Sequence, residues 1–202
     1  MTGGGVKRSA PPQQIRIIGG QWKRTPVRVP DVPGLRPTPD RVRETLFNWL
    51  GQDLSGWRCL DLFGGTGALG LEAASRGASS VLINEKNPQA ARTIAALIAK
   101  LQAAQVTLLQ NDAPVLLQQL QQRGERFDLI FLDPPFGAGW LEKVFPQLDS
   151  VLQPQGCVYV EAEAPLDPGL LAGKYVVHKQ DKAGAVHYHL LHRITGTLGT
   201  PS

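Results

Sequence analysis

Two short segments of this 202-residue chain hold residue types that can do chemistry. The first is Asp61-Leu62-Phe63-Gly64-Gly65-Thr66-Gly67, a carboxylate followed by a glycine-rich turn. Glycines at the junction of a strand and a helix let the backbone approach a ligand closely. Gly65, Gly67 and Gly70 also satisfy the dinucleotide spacing GxGxxG, and Glu85 follows Gly67 by 18 residues, near the place from which an acid holds a ribose. These residues alone leave open a nicotinamide dinucleotide, S-adenosylmethionine (SAM), or a turn that only packs helix on strand. Asp61 leans toward SAM, because a carboxylate there repels a pyrophosphate and welcomes a cationic amino-acid ammonium.

The second segment is Asp133-Pro134-Pro135-Phe136, reached directly from the apolar run Phe127 to Leu132. Asp133 offers an acceptor to an N–H group. The prolines fix φ and hold the preceding residues extended, which makes a rigid display of carbonyls. Phe136 offers a flat face on which a base can stack. Two acceptors and a stacking plane suit a planar heterocycle bearing an exocyclic amine, and this segment decides for SAM over a dinucleotide. No metal ligand set accompanies it: His187 and His189 share a face of the last strand without Cys or acid partners.

The elements that must position these residues alternate. Strands are expected at 58–62, 80–84, 106–110, 127–132 and 156–161, with helices at 67–76, 88–101, after Asp112, and at about 138–152. Asn87 caps a helix that has Pro88 at its first position. Thr38 and Pro39 are expected to do the same for a helix carrying Val42, Leu46, Trp49 and Leu50 on one face. A hairpin over 174–192 closes the fold. Strand–helix alternation of this kind predicts a mainly parallel α/β sheet covered on both faces, with ligands at the carboxyl ends of the strands. Trp49, Trp57 and Trp140 read as packing or helix-surface residues.

Charge is distributed unevenly. Residues 1–50 hold nine Lys/Arg against three acids, while the other 152 hold twelve against fourteen. A basic N-terminal quarter on a near-neutral body points to a polyanionic partner met by one end of the molecule. Within it, Arg16, Trp22, Lys23, Arg24, Arg28 and Arg36 are candidate RNA contacts, on a hairpin formed around a turn at Gly19-Gly20. At 42 % hydrophobic and 19 % charged the chain can bury a core, which excludes global disorder. No apolar run approaches the ~18 residues of a membrane span. No apolar h-region follows Lys7 and Arg8, and Cys59 and Cys157 lie in apolar runs, as expected of a cytoplasmic protein with reduced thiols. The expected organisation is a disordered segment over 1–14, a basic hairpin arm over 15–35, a catalytic domain over 36–194 and a flexible tail over 195–202.

The two chemical segments together are similar to those of SAM-dependent amino-methyltransferases of nucleic acids. Arg16-Ile17-Ile18-Gly19-Gly20, Arg36-Pro37-Thr38 and the run Asp40-Arg41-Val42-Arg43-Glu44-Thr45-Leu46-Phe47-Asn48 extend the likeness. With them the chain resembles, over roughly residues 15–193, the RsmD family of bacterial 16S rRNA guanine-N2 methyltransferases. That resemblance implies a class I methyltransferase fold: a Rossmann-like, seven-stranded, mostly parallel sheet with its last strand antiparallel, and a small N-terminal β-hairpin. It implies that Asp61, Phe63, Gly64, Gly65 and Gly67 surround the methionine part of SAM, that Glu85 holds the ribose, and that Asp112 lies near the adenine or only caps a helix. Asp133 and the Pro134 carbonyl then hold the guanine amine with Phe136 stacked on the base, and S-adenosylhomocysteine leaves as product. The implied partner is 16S rRNA within an assembled or assembling small subunit, met by a monomer. Two readings compete: a DNA adenine or cytosine amino-methyltransferase, for which the chain lacks room for a target-recognition domain, and an NAD(P)-linked oxidoreductase, which leaves Asp133 to Phe136 unexplained. An idle RNA-binding module is a third.

Overall fold

The structure, a computed structural model, describes residues 14–194. Expectations for 1–13 and 195–202 lie outside the described residues; Gln14 already belongs to a strand. In chain order the elements are β1 (Gln14–Arg16), β2 (Pro26–Arg28), α1 (Asp40–Trp49), β3 (Arg58–Asp61), α2 (Ala68–Ser75), β4 (Ser80–Asn84), α3 (Pro88–Leu101), β5 (Val106–Leu109), α4 (Ala113–Gln122), β6 (Phe127–Leu132), α5 (Trp140–Val151), β7 (Leu152–Ala162), α6 (Pro168–Leu171), β8 (Tyr175–Ala183) and β9 (Val186–Arg193).

β3 to β9 form one seven-stranded sheet in the order β5-β4-β3-β6-β7-β9-β8. All pairings from β5 across to β7 are parallel, and β9 runs antiparallel to both of its neighbours. The chain leaves β3 toward β4 on one side and returns to β6 on the other, so the order reverses between β3 and β6. A crevice opens at such a reversal, outside the carboxyl ends of the strands. Helices cover both faces, which is why Leu129 to Leu132 of β6 read as a continuous apolar run rather than an alternating one. Leu129 and Phe131 join the core beneath α1, α2 and α3, while Ile130 and Leu132 join that beneath α4 and α5. The cap on α3 forms as its sequence dictates: the Asn87 side chain accepts from the Gln89 and Ala90 N–H groups.

β1 and β2 make the small N-terminal hairpin, and it is welded to α2. Ile18 and Gly19 N–H donate to the Glu72 carboxylate at 2.8 and 2.7 Å. Gln21 N–H donates to the Ser75 carbonyl at 2.7 Å. A Cβ on Gly19 would fall 2.2 Å from the Arg76 guanidinium, and one on Gly20, whose φ is +72°, 1.8 Å from the Ser75 carbonyl oxygen. Gly19-Gly20 is thus the joint where hairpin meets helix, with the reversal itself carried by residues 20–24. Ile17 and Val27 are fully buried in the main core, so the hairpin is part of the domain's packing and not a detached arm.

Candidate active site

The carboxyl edge of the sheet collects the acids. Asp61 ends β3, Glu85 follows β4, Asp133 follows β6, and Glu161 lies one residue from the end of β7. Asn84 ties three strand ends together. Its amide donates to the Leu62 and Asn111 carbonyls, both at 3.1 Å, and its oxygen accepts from Asn111 N–H at 3.0 Å.

The glycine turn is held tightly. Gly64 N–H donates to the Asn84 carbonyl at 2.7 Å, and Gly67 N–H to the Gly64 carbonyl at 2.6 Å. A Cβ on Gly64 would meet Ile83 at 2.6 Å, so only glycine fits against β4 there. Glu85 accepts from Gly65 N–H and from Asn87 N–H, each at 2.6 Å. A carboxylate has about four acceptor positions, so roughly two remain for a pair of vicinal hydroxyls.

Asp61 is 1 % exposed. One of its oxygens accepts from Gly70 N–H at 3.0 Å, while the other, Oδ1, is buried without a partner. Burial pushes this carboxyl up to about 7, against the pull of the Gly70 hydrogen bond, and the charges of Glu85 and Glu161 add to the rise. An unpartnered carboxylate oxygen beside a glycine cradle fits a cationic amino-acid ligand such as the methionine part of SAM. Phe63 packs edge-on against Trp140 at 5.7 Å, with Lys143 over the Trp140 ring at 4.8 Å.

Asp133 stands across the crevice. It is half-buried, Pro134 is buried, and Phe136 is 45 % exposed, presenting its ring to whatever enters. Thr38 Oγ1 lies 3.3 Å from Asp133 Oδ2 and 2.9 Å from Glu161 Oε1. Tyr159 O–H donates to the same Glu161 oxygen at 2.9 Å. Crowding by protein, then the charges of Glu161 and Asp61, hold Asp133 well above the usual carboxylate range. Glu161 is also raised by burial, with the Thr38 and Tyr159 hydrogen bonds and the Arg43 charge working against it.

The structure therefore brings Asp61, Phe63, Gly64, Gly65, Gly67, Glu85, Asp133, Pro134 and Phe136 to one edge, as their sequence positions imply. It moves others. Thr38 is not the cap of α1: Pro39 takes that position, without a side-chain bond, and the Thr38 hydroxyl goes to the two acids instead. Asp112 sits at the N-terminus of α4 without capping it, and pairs with Lys86 at 2.8 Å. Arg43 is fully buried, donating to Glu72 at 3.2 Å, to Asp40 at 2.5 Å and to the Thr38 carbonyl at 3.2 Å. Arg16 pairs with Asp40 at 3.1 Å and stays exposed. Lys23, Arg24, Arg28 and Arg36 are exposed, whereas Trp22 is half-buried against the core. Trp49, read as packing, stacks on Tyr188 at 5.3 Å. Sequence reasoning passed over Glu161 and Glu72. Glu161 carried a usable signal, because it closes an apolar strand as Asp61 does.

A separate hollow of about 600 Å³ lies between Gly20, Gln52, Arg76 and Ser79, toward the amino ends of β4 and β5. It holds none of the strand-end acids, so the crevice and not the hollow is the site.

The match to known proteins covers this architecture as a whole. Residues 15–192 match the family model described as conserved hypothetical protein 95. Ribosomal RNA small subunit methyltransferase D of Escherichia coli is 40 % identical over 182 residues, covering 89 % of this chain and 90 % of that protein. The chain belongs to the RsmD family. The Haemophilus influenzae protein of the same name is 35 % identical over 181 residues, covering 88 % of this chain and 93 % of its own. Among solved structures, the Escherichia coli protein yhhF, which carries a provisional methyltransferase description, superposes with a TM-score of 0.77 at 40 % identity, covering 90 % of this chain and 98 % of that one. The RsmD sheet order and its antiparallel last strand are those of a class I methyltransferase. No helix among the described residues is long and apolar enough to cross a membrane.

Proposed function

We propose that this protein transfers the methyl group of SAM to the exocyclic N2 amine of a guanine in 16S rRNA. The class of reaction, SAM-dependent methylation of rRNA, follows from family membership. The base and the atom rest on one observation: Asp133-Pro134-Pro135-Phe136 meets the crevice opposite a glycine cradle whose carboxylate, Asp61, has an oxygen to spare. When bound, SAM supplies a methyl already activated on a sulfonium, and the electron pair of the broken C–S bond stays on sulfur. The protein's task is then to hold and polarise the amine. That amine is a poor nucleophile because its lone pair is delocalised into the ring. N–H donation to Asp133 and the Pro134 carbonyl favours a more tetrahedral nitrogen and aims its lone pair, an orienting effect worth several kcal/mol. Phe136 fixes the plane of the base. Glu85 takes the ribose hydroxyls, and Asp112 borders the adenine. The substrate is a small subunit in the cytoplasm, approached by a monomer.

Nucleoside mass spectrometry of rRNA from cells lacking the protein tests this reading. Loss of a single N2-methylguanosine is the expected result, and an unchanged methylguanosine content overturns it.

SAM affinity is expected to rise with pH through about 7, the value to which Asp61 is pushed. The cationic ligand needs the ionised form, so affinity falls about tenfold for each pH unit below that value. Calorimetric titration with SAM across that range reads the slope. Asp61→Asn should bind weakly and without the pH dependence, whereas a pH-independent wild type would remove Asp61 from the site.

Arg16, Lys23, Arg24, Arg28 and Arg36, with the exposed part of Trp22, form the RNA grip. Deleting the hairpin would take Ile17 and Val27 out of the core, so substitution is the cleaner test. Replacing Lys23, Arg24, Arg28 and Arg36 together by glutamine should reduce the slope of log affinity for RNA against log salt by about 3. SAM affinity should not change. An unaltered slope would show that these residues touch no phosphate.

A further inference from the structure

Two carboxyl groups flank one hydroxyl in the wall of the crevice, and the function proposed above uses only one of them. Thr38 Oγ1 stands between Asp133 Oδ2 at 3.3 Å and Glu161 Oε1 at 2.9 Å. A hydroxyl has one proton to donate and lone pairs with which to accept. With both acids ionised its proton goes to the nearer oxygen, that of Glu161, which Tyr159 also serves. Asp133 keeps the weaker end of the bridge and faces the crevice, while Glu161 is only 3 % exposed. The arrangement is therefore directional, with an open end at Asp133 and a closed end at Glu161. Burying a second acid beside the first is costly without a partner, and the fold maintains it with Thr38, Tyr159 and the charge of Arg43.

We propose that Thr38 and Glu161 form a relay that draws the amine proton off Asp133, an inference that rests on the function proposed above. As the C–N bond forms, the amine nitrogen gives a proton to the Asp133 carboxylate. Asp133 then becomes a donor to Thr38 Oγ1, and the hydroxyl's own proton moves to Glu161 Oε1. One proton enters at Asp133 and one arrives on Glu161. Thr38 ends with one proton, as it began, and Asp133 is again a carboxylate; once the product has left, the proton returns through Thr38 and Asp133 to solvent in the open crevice, which resets Glu161 for the next amine. Glu161 touches no substrate and is a positioning and proton-storing residue.

The groups facing the pair come from several elements. Asp61 on β3 and Glu161 on β7 face Asp133. Tyr159 on β7 and Arg43 on α1 face Glu161, and Tyr188 on β9 faces Tyr159. Burial raises both acids, and the charges of Glu161 and Asp61 raise Asp133 further, while the Thr38 and Tyr159 hydrogen bonds and Arg43 hold Glu161 down.

The test is steady-state methylation, over a range of pH, of small ribosomal subunits purified from cells lacking the protein. Thr38→Val and Glu161→Gln are expected to lower kcat about tenfold or more, with KM for SAM changed by less than about twofold. Thr38→Ser should recover the loss, because it restores the hydroxyl. Glu161→Gln should also move the acid limb of the kcat profile to lower pH, since the charge that raises Asp133 is gone. A serine variant as slow as the valine one would overturn the relay. So would a Glu161→Gln variant that keeps wild-type kcat, or one that loses kcat with its acid limb unmoved. If Glu161→Gln does not fold, as judged by thermal melting and SAM binding, the valine and serine pair at Thr38 decides alone. Wild-type protein that leaves the subunits unmethylated sinks the proposed function itself, whereas an active wild type with indifferent variants sinks only the relay.

Discussion

Asp133→Ala is expected to lower kcat about a thousandfold while SAM affinity stays within a few fold. The carboxylate is the only acidic acceptor on the tetrapeptide that follows β6, and it is half-buried where Asp61 and Glu161 are buried. Removing it leaves the amine with the Pro134 carbonyl alone and nothing to take its proton. The cradle is built from other residues, Asp61, Gly64, Gly65, Gly67 and Glu85, so binding of SAM should survive. The rise of Asp61 comes from burial and from the charges of Glu85 and Glu161. Asp133→Asn separates the two roles. Its amide oxygen still accepts an N–H but takes no proton, so activity between wild type and alanine means that orientation carries most of the effect. Rapid methylation by Asp133→Ala, with SAM binding unchanged, would show that the base is held elsewhere.

Glu72→Ala is expected to cost about 3–5 kcal/mol of stability, because it strands buried positive charge. Glu72 is fully buried between Arg43 and Arg76, at 3.2 and 2.9 Å, and also accepts the Ile18 and Gly19 N–H groups. Burial already pulls the Arg43 guanidinium below its usual value, and Glu72 and Asp40 offset that pull. Without Glu72 the two guanidiniums repel each other in the core and the hairpin loses its anchor. A fall in Tm of about 10 °C by circular dichroism would match that cost. Glu72→Gln keeps the volume and one acceptor and should lie between. A Tm within about 2 °C of wild type for Glu72→Ala would mean that solvent reaches the charges and that the triad contributes little. The loss should reach the site as well, because Arg43 also holds the Thr38 carbonyl.

Much of the fold was legible because its signals are local. β4 and β6 have the bounds that their apolar runs predict, and Asn87 with Pro88 begins α3 through a cap confined to three residues. Asp61 to Gly67 and Asp133 to Phe136 were readable for the same reason: their chemistry depends on φ restriction, on absent side chains, and on lying just past a buried strand. The role of Thr38 was misread by a local rule. A threonine before Pro39 looks like a helix cap, and only the return of β6 and β7 beside it shows where its hydroxyl goes.

The amino-acid sequence by itself determined the strand–helix alternation, the glycine cradle, the acceptor and stacking face just after β6, and the basic N-terminal quarter. Tertiary structure decided which charges are available. Arg43 counts toward the basic quarter, yet it is buried on Glu72, whereas Arg16, though paired with Asp40, stays exposed. It also decided that Asp112 meets Lys86, that Gly19 and Gly20 are a docking joint, and that Glu161 stands behind Asp133 across Thr38. These partners come from different elements, many of them far apart along the chain. No spacing rule joins them, because they meet only where a parallel sheet brings its strand ends to one edge.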